Sequence, residues 1–300
     1  MVLKNFEEMI ERVKKSIHKR TVALVAAEDI NSLKALLEIE KEGIARPVLV
    51  GNEQKIRDIL KELGATCDYE IYDEPDSNKA ACKAVELVRD GKADFLMKGK
   101  IQTADILRAV VNKEKGLGQG KLMSHFVIME IPTYHKLLAI TDGGMVMYPN
   151  LEQKKEIIIN AVEALSNIGY KNPKVGVLAA VEKVNPKMPE TVDAHELKEM
   201  NIKGEIKNCI IEGPISYDLS MNKESARIKG YESQVAGDVD LLVVPDIAAG
   251  NIMSKSLIYS ANARMAGMVI GAKVPIVLTS RGASAEEKFL SLALAALFTL

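Results

Sequence analysis

Short runs rich in Val, Ile and Leu alternate, almost from end to end, with longer stretches whose apolar residues recur at helical spacing. This alternation constrains the fold more than any other feature of the chain. The strand-like runs are TVALVAA from Thr21, RPVLVG from Arg46, DYEIYD from Asp68, DFLMKG from Asp94, HFVIMEI from His125 and KLLAIT from Lys136. KVGVLAA from Lys174, KNCIIEG from Lys207, DLLVVPD from Asp240 and PIVLTS from Pro275 follow. Between them lie helical patterns such as NSLKALLEIEKEG and SNKAACKAVELVRDG, the second closing on Gly91. Several runs are apolar without alternation, as strands covered by helices on both faces are. A βαβα order of this kind predicts a doubly wound α/β architecture.

The breaks are few. TDGGMVMYPN, Thr141 to Asn150, interrupts two regular regions, and a weaker break falls near Lys273 to Pro275. They predict two α/β domains: residues 1–140 with 276–300, and residues 141–275 inserted between. The cleft between two such domains is the expected ligand site.

Composition narrows the function. Lys+Arg number 40 and Asp+Glu 41, so a net charge of −1 offers no footprint for nucleic acid. No apolar run approaches the roughly 18 residues of a membrane span, and the N-terminus lacks a signal-peptide pattern. Cys67, Cys82 and Cys209 are odd in number and widely spaced, which fits a reducing cytoplasm and small buried side chains. His18, His125, His135 and His195 form no metal-ligand pattern, so no metal and no bound cofactor is expected.

Three stretches carry strand–turn–helix signatures at which ligands bind in open α/β sheets. In TSRGASAEEKFLSLALAAL, Ser280, Arg281 and Gly282 form a turn between a strand and a helix beginning near Ser284. A guanidinium, a hydroxyl and free helix N–H groups suit an anion or a developing oxyanion. The plainer alternative is a capping box, Ser284 to Glu287. In LMKGKIQTADILRAV, Lys98 and Lys100 flank Gly99, Thr103 starts a helix, and Arg108 lies further along it. This could cradle a phosphate without being a Walker A loop, or simply place solvated charges on a turn. In VVPDIAAGNIMSKSLIYSANARMAG, Pro-Asp follows a strand and Gly250-Asn251 is read as opening a helix, with close packing the plain alternative. GLGQGK follows a helix, so it fails as a dinucleotide loop.

Taken together, VVPDIAAGN, TSRGASAEE, TDGG, EGPISYD and KGYESQVAGDVDLLVVPD resemble the phosphate acetyl/butyryltransferase family, over nearly the whole chain. The resemblance implies two α/β domains like those of isocitrate and isopropylmalate dehydrogenases, with the site in their cleft. It implies reversible acyl transfer, short-chain and butyryl in particular, between coenzyme A and inorganic phosphate, and a homo-oligomer. The family's Ser-Arg-Gly falls on Ser280, Arg281 and Gly282, and its downstream acid on Glu287, with Glu286 adjacent. Its phosphate-binding arginine falls on Arg108, with Lys98 as helper. Its Gly-Asn falls on Gly250 and Asn251, which with Pro245 would line the coenzyme A groove. Acetyl transfer, a metal- and NAD-dependent dehydrogenase of similar fold, and a non-catalytic acyl-CoA sensor are the alternatives.

Overall fold

A computed structural model describes the 300-residue chain except residues 1, 66, 67 and 281. Its elements run α1 (Phe6–Lys14), β1 (Arg20–Val25), α2 (Ile30–Lys41), β2 (Ala45–Gly51), α3 (Glu53–Glu62), β3 (Ile71–Asp73), α4 (Ser77–Arg89), β4 (Phe95–Lys98) and α5 (Thr103–Val110). After these come β5 (Ser124–Glu130), β6 (Leu138–Thr141), α6 (Leu151–Asn167), β7 (Lys174–Leu178), α7 (Pro189–Ile202) and β8 (Ile210–Ile215). The chain closes with α8 (Tyr217–Met221), α9 (Lys223–Ile228), β9 (Leu241–Val243), α10 (Ile247–Ala261), β10 (Arg264–Ile270), β11 (Ile276–Val277) and α11 (Ala285–Phe298).

The helices begin where short polar side chains can satisfy their free N–H groups. Asp29, Asn52 and Asp76 cap α2, α3 and α4, and Asn150 with Gln153 forms a full capping box on α6. Gly91, at φ +72°, turns the chain out of α4 in the left-handed region, as its place in the sequence predicts.

Contacts divide the chain into two compact units: residues 7–121 with 266–300, and residues 1–6 with 122–265. The first holds strands in the order β3-β2-β1-β4-β11-β10. All are parallel except β10, which runs antiparallel to β11. The second holds β5-β6-β9-β7-β8, parallel except for the β5–β6 hairpin. Its core gathers Met129, Leu138, Ile140, Val239 and Leu242, with Met253, Leu257 and Ile258 of α10 laid against them.

The units exchange chain at 6/7, 121/122 and 265/266, where the sequence suggests 140/141 and 275/276 alone. Hydrogen bonding between β5 and β6 keeps the hairpin together, so TDGG is a turn inside a unit. The sequence reading also misses β10, because RMAGMVI continues the small apolar pattern of the helix before it. Asn262, left-handed at φ +53°, separates the two.

Candidate active site

β11 lies beside β4 in parallel register, Ile276 opposite Leu96 and Val277 opposite Met97. The chain leaving β11 through Thr279 and Ser280 therefore departs next to Lys98, Gly99 and Lys100. On its other side β4 pairs with β1, Val25 opposite Lys98. The Gly99 and Lys100 N–H groups donate to the Val25 and Ala26 carbonyls, both at 2.8 Å. A Cβ on Gly99 would stand 2.3 Å from the Ala26 oxygen, so only glycine fits between the two lysines.

Lys98 is 8% exposed, and its ammonium donates to the Gly99 carbonyl at 3.2 Å. Ser280 is exposed and its Oγ accepts from the Gly282 N–H at 3.4 Å. Open space surrounds the Gly282 α-carbon. Arg281 lies outside the described residues. Two of the motifs singled out in the sequence thus meet at one set of strand ends.

Glu287 sits on the first turn of α11. Ser284 Oγ accepts from the Glu287 N–H at 3.0 Å, which supplies the Ser284 half of a capping box. The Glu287 side chain is half-buried, and burial pushes its carboxyl above the ordinary glutamate range against the opposing pull of Lys288. Glu286 is exposed to water.

Arg108 lies elsewhere in this unit. It occupies the last turn of α5, its side chain 70% exposed, and donates to Asp105 Oδ1 at 2.8 Å. Its guanidinium faces a groove between α4 and α5, a cavity of about 470 Å³ lined also by Asn78, Cys82, Arg89 and Lys115. Neither Lys98 nor Ser280 lines that groove.

In the second unit, the chain after β9 runs through Pro245 into α10. Asp246 is the N-cap, its Oδ1 accepting from the Ala249 N–H at 2.9 Å. Gly250 and Asn251 therefore fall within the first turns of α10 and do not open it. Gly250 is buried: a Cβ there would meet the Gly143 α-carbon at 2.6 Å. Backbone packing accounts for this glycine. Asn251 is exposed and Pro245 half-buried.

Sequence reasoning weighs Asp142 only as a dispersed carboxylate of the dehydrogenase alternative; in the fold it is 2% exposed. Its Oδ1 accepts from the Gly144 and Met145 N–H groups, and its Oδ2 from those of His125 and Val146. The signal was present as an acid followed by two glycines. Burial pushes the His125 imidazole down while Asp142 pulls the other way. Cys82 is exposed on α4, contrary to the buried role expected of it, whereas burial pushes the Cys209 thiol up to about 11. Cys67 lies outside the described residues. Among the described residues, no group of three His, Cys, Asp or Glu side chains could hold a metal ion, and no helix is long and apolar enough to cross a membrane.

These strand ends, with a buried lysine, an exposed serine and a helix-borne carboxylate raised by burial, define an α/β protein suited to anionic substrates. Residues 69–296 match the family described as phosphate acetyl/butaryl transferase, and the chain belongs to that family. It is 44% identical over 297 residues to a phosphate butyryltransferase of Clostridium acetobutylicum, covering 99% of this chain and 98% of that one. A phosphate acetyltransferase of Thermotoga maritima is 43% identical over 280 residues, covering 93% and 95%. A solved branched-chain phosphotransacylase from Enterococcus faecalis superposes with a TM-score of 0.83 at 31% identity, covering 93% of this chain and 99% of that one. The chain is an acyltransferase.

Proposed function

We propose that the protein moves a short acyl group, butyryl in preference to acetyl, reversibly between coenzyme A and inorganic phosphate. The observation that carries this reading is the parallel pairing of β4 and β11, which sets Lys98 and Ser280 at one strand mouth beside the Glu287 helix. The relatives named for butyryl and acetyl transfer are about equally similar, so the preference for butyryl follows the butyryltransferase likeness alone.

The chemistry is direct displacement at a thioester carbonyl. Phosphate is an anion that calls for guanidinium, ammonium or N–H donors. Arg281, Lys98 and Gly282 take that part at the strand mouth; Arg108, which lines the α4–α5 groove and not that mouth, joins them only by leaving Asp105 for the substrate. Attack makes a tetrahedral oxyanion, and Ser280 with Arg281 stabilises it. In the reverse direction the thiol of coenzyme A has to lose a proton. A thiol of pKa ~8.5 is only a few per cent thiolate at pH 7. Glu287 is the base, with Glu286 its competitor: a carboxyl raised by burial holds a proton more firmly than an ordinary one. Pro245, Gly250 and Asn251 belong to the coenzyme A groove, with the Gly250 contribution restricted to main-chain atoms. The reading requires no metal and no bound cofactor, coenzyme A being a substrate. A cytoplasmic homo-oligomer completes it.

Thiol release from butyryl-CoA and from acetyl-CoA, each with and without phosphate and in chelator, is the test. Phosphate-dependent release that survives chelation, faster with butyryl-CoA, is expected. Binding of butyryl-CoA without release would make the protein a sensor, and turnover requiring NAD and a divalent metal would make it a dehydrogenase.

A further inference from the structure

We propose that the ion pair between buried Lys288 and half-buried Asp29 is a positioning device for Glu287, fixing the rotation of the first turn of α11 and balancing the charge beside the carboxylate. The inference rests on the reading of Glu287 as the base.

Lys288 is 4% exposed although it is a lysine on a helix. Its ammonium donates to Asp29 Oδ2 at 2.9 Å and to Ser32 Oγ at 2.8 Å. Ser32 Oγ in turn donates to the same Asp29 oxygen at 2.8 Å. Asp29 Oδ1 accepts from the Asn31 and Ser32 N–H groups and so caps α2. Each charge is matched and hydrogen-bonded. Taking the Lys288 ammonium out of water to meet Asp29 commonly adds little net stability over an apolar residue of the same volume, so a role in registration is the better account.

What it registers is visible in the chain. Consecutive side chains on a helix diverge by roughly 100°, so locking Lys288 against α2 fixes the direction Glu287 faces. Ser284 pins the same turn from its other end. Segment 26–29 joins both halves of the strand mouth: Ala26 accepts the Lys100 N–H, and Asp29, three residues on, holds Lys288. A shift of either half would pass to the other through four residues.

Among the described residues, the charges around Glu287 are few. On its own helix these are Lys288 and the exposed Glu286. α2 contributes Asp29; its Lys34, Glu38 and Lys41 are exposed, and its Glu40 accepts from Tyr69. β4 contributes Lys98 at its end, and β11, Ile276–Val277, contributes none. Lys288 alone would favour the ionised carboxylate; Asp29 offsets it.

The test is the pH profile of kcat/KM for butyryl-CoA formation from butyryl phosphate and coenzyme A, the direction in which Glu287 takes the thiol proton and its ionisation sets the acid limb, with folding followed by thermal melting. Asp29→Asn keeps the helix cap and leaves the Lys288 cation unbalanced, so the acid limb should move down by several tenths of a pH unit. Lys288→Met removes the cation and leaves Asp29, so the acid limb should move up. Lys288→Arg should restore the original position, and if Lys288→Met does not fold, Asp29→Asn against Lys288→Arg decides. Limbs that stay fixed, or that move in the same direction in Asp29→Asn and Lys288→Met, overturn the proposal. Failure of the underlying reading looks different: Glu287→Gln would then keep full turnover.

Discussion

The Asp142 carboxylate, nearly sealed from water, gives one oxygen to the N–H groups of Gly144 and Met145 and the other to those of His125 and Val146. An amide cannot reproduce this, because its NH₂ would face two donors. Asp142→Asn should therefore cost about 3 kcal/mol or more, the range for a buried charged hydrogen-bond acceptor whose donors are left unmet. A lower midpoint in urea unfolding at unchanged slope is the expected result. Ser280 is the opposite case: exposed, with one weak contact to the Gly282 N–H at 3.4 Å, it contributes little to the fold. Ser280→Ala should leave the urea midpoint within about 0.5 kcal/mol of the parent. Turnover of butyryl-CoA should fall roughly 10²- to 10³-fold, the effect of losing one preorganised oxyanion donor. A parent-like kcat would remove Ser280 from the chemistry.

Elements in the second unit are held by two contrasting devices. At the start of α10, Gly250 meets Gly143 with no room for a Cβ, so the helix and the TDGG turn touch main chain to main chain. Gly250→Ala should cost about 1–3 kcal/mol through overpacking, read as a lowered melting temperature. At the opposite strand ends, Asp238 accepts from Lys174, Lys136 and His135, and Asp240 from Lys136, tying β6, β7 and β9 together. Burial alone would raise the Asp238 carboxyl. The lysine and histidine hydrogen bonds outweigh it and hold the group well below the usual carboxylate range. The folded value is thus depressed, so the stabilisation is present above the unfolded pKa of ~3.9 and is lost as pH falls below it. Asp238→Asn should melt earlier than the parent at pH 7, and the gap should narrow on acidification. A gap independent of pH would show that packing, not the charge, is what the aspartate supplies.

For the molecule as a whole, the elements were legible wherever one period dominated a stretch. The apolar runs at Thr21, Arg46, Asp94 and Lys174 all became strands, since parallel strands buried on both faces need unbroken apolar sequence. The hidden features depended on partners distant in sequence. β10 was hidden because a helix and a buried strand can share a run of Ala, Met and Val. Arg108 reads as a neighbour of Lys98 in the sequence, yet it comes from the last turn of α5 and faces α4. The Lys288–Asp29 pair joins residues 259 positions apart and leaves no local trace. The cysteines show how this bears on mechanism. Spacing predicts three buried, inert thiols; instead Cys82 is exposed in the α4–α5 groove, where a thiol could react, while burial raises the Cys209 thiol to about 11 and keeps it protonated. A thiol held protonated is a poor nucleophile at neutral pH. Direct displacement needs no acyl-enzyme, so replacing Cys67, Cys82 and Cys209 together with serine should keep most of the phosphate-dependent thiol release. The parent should likewise exchange labelled coenzyme A into butyryl-CoA only when phosphate is present. Exchange without phosphate, or loss of turnover in a cysteine-free protein that melts like the parent, would mean that the acyl group rests on the enzyme between its two acceptors.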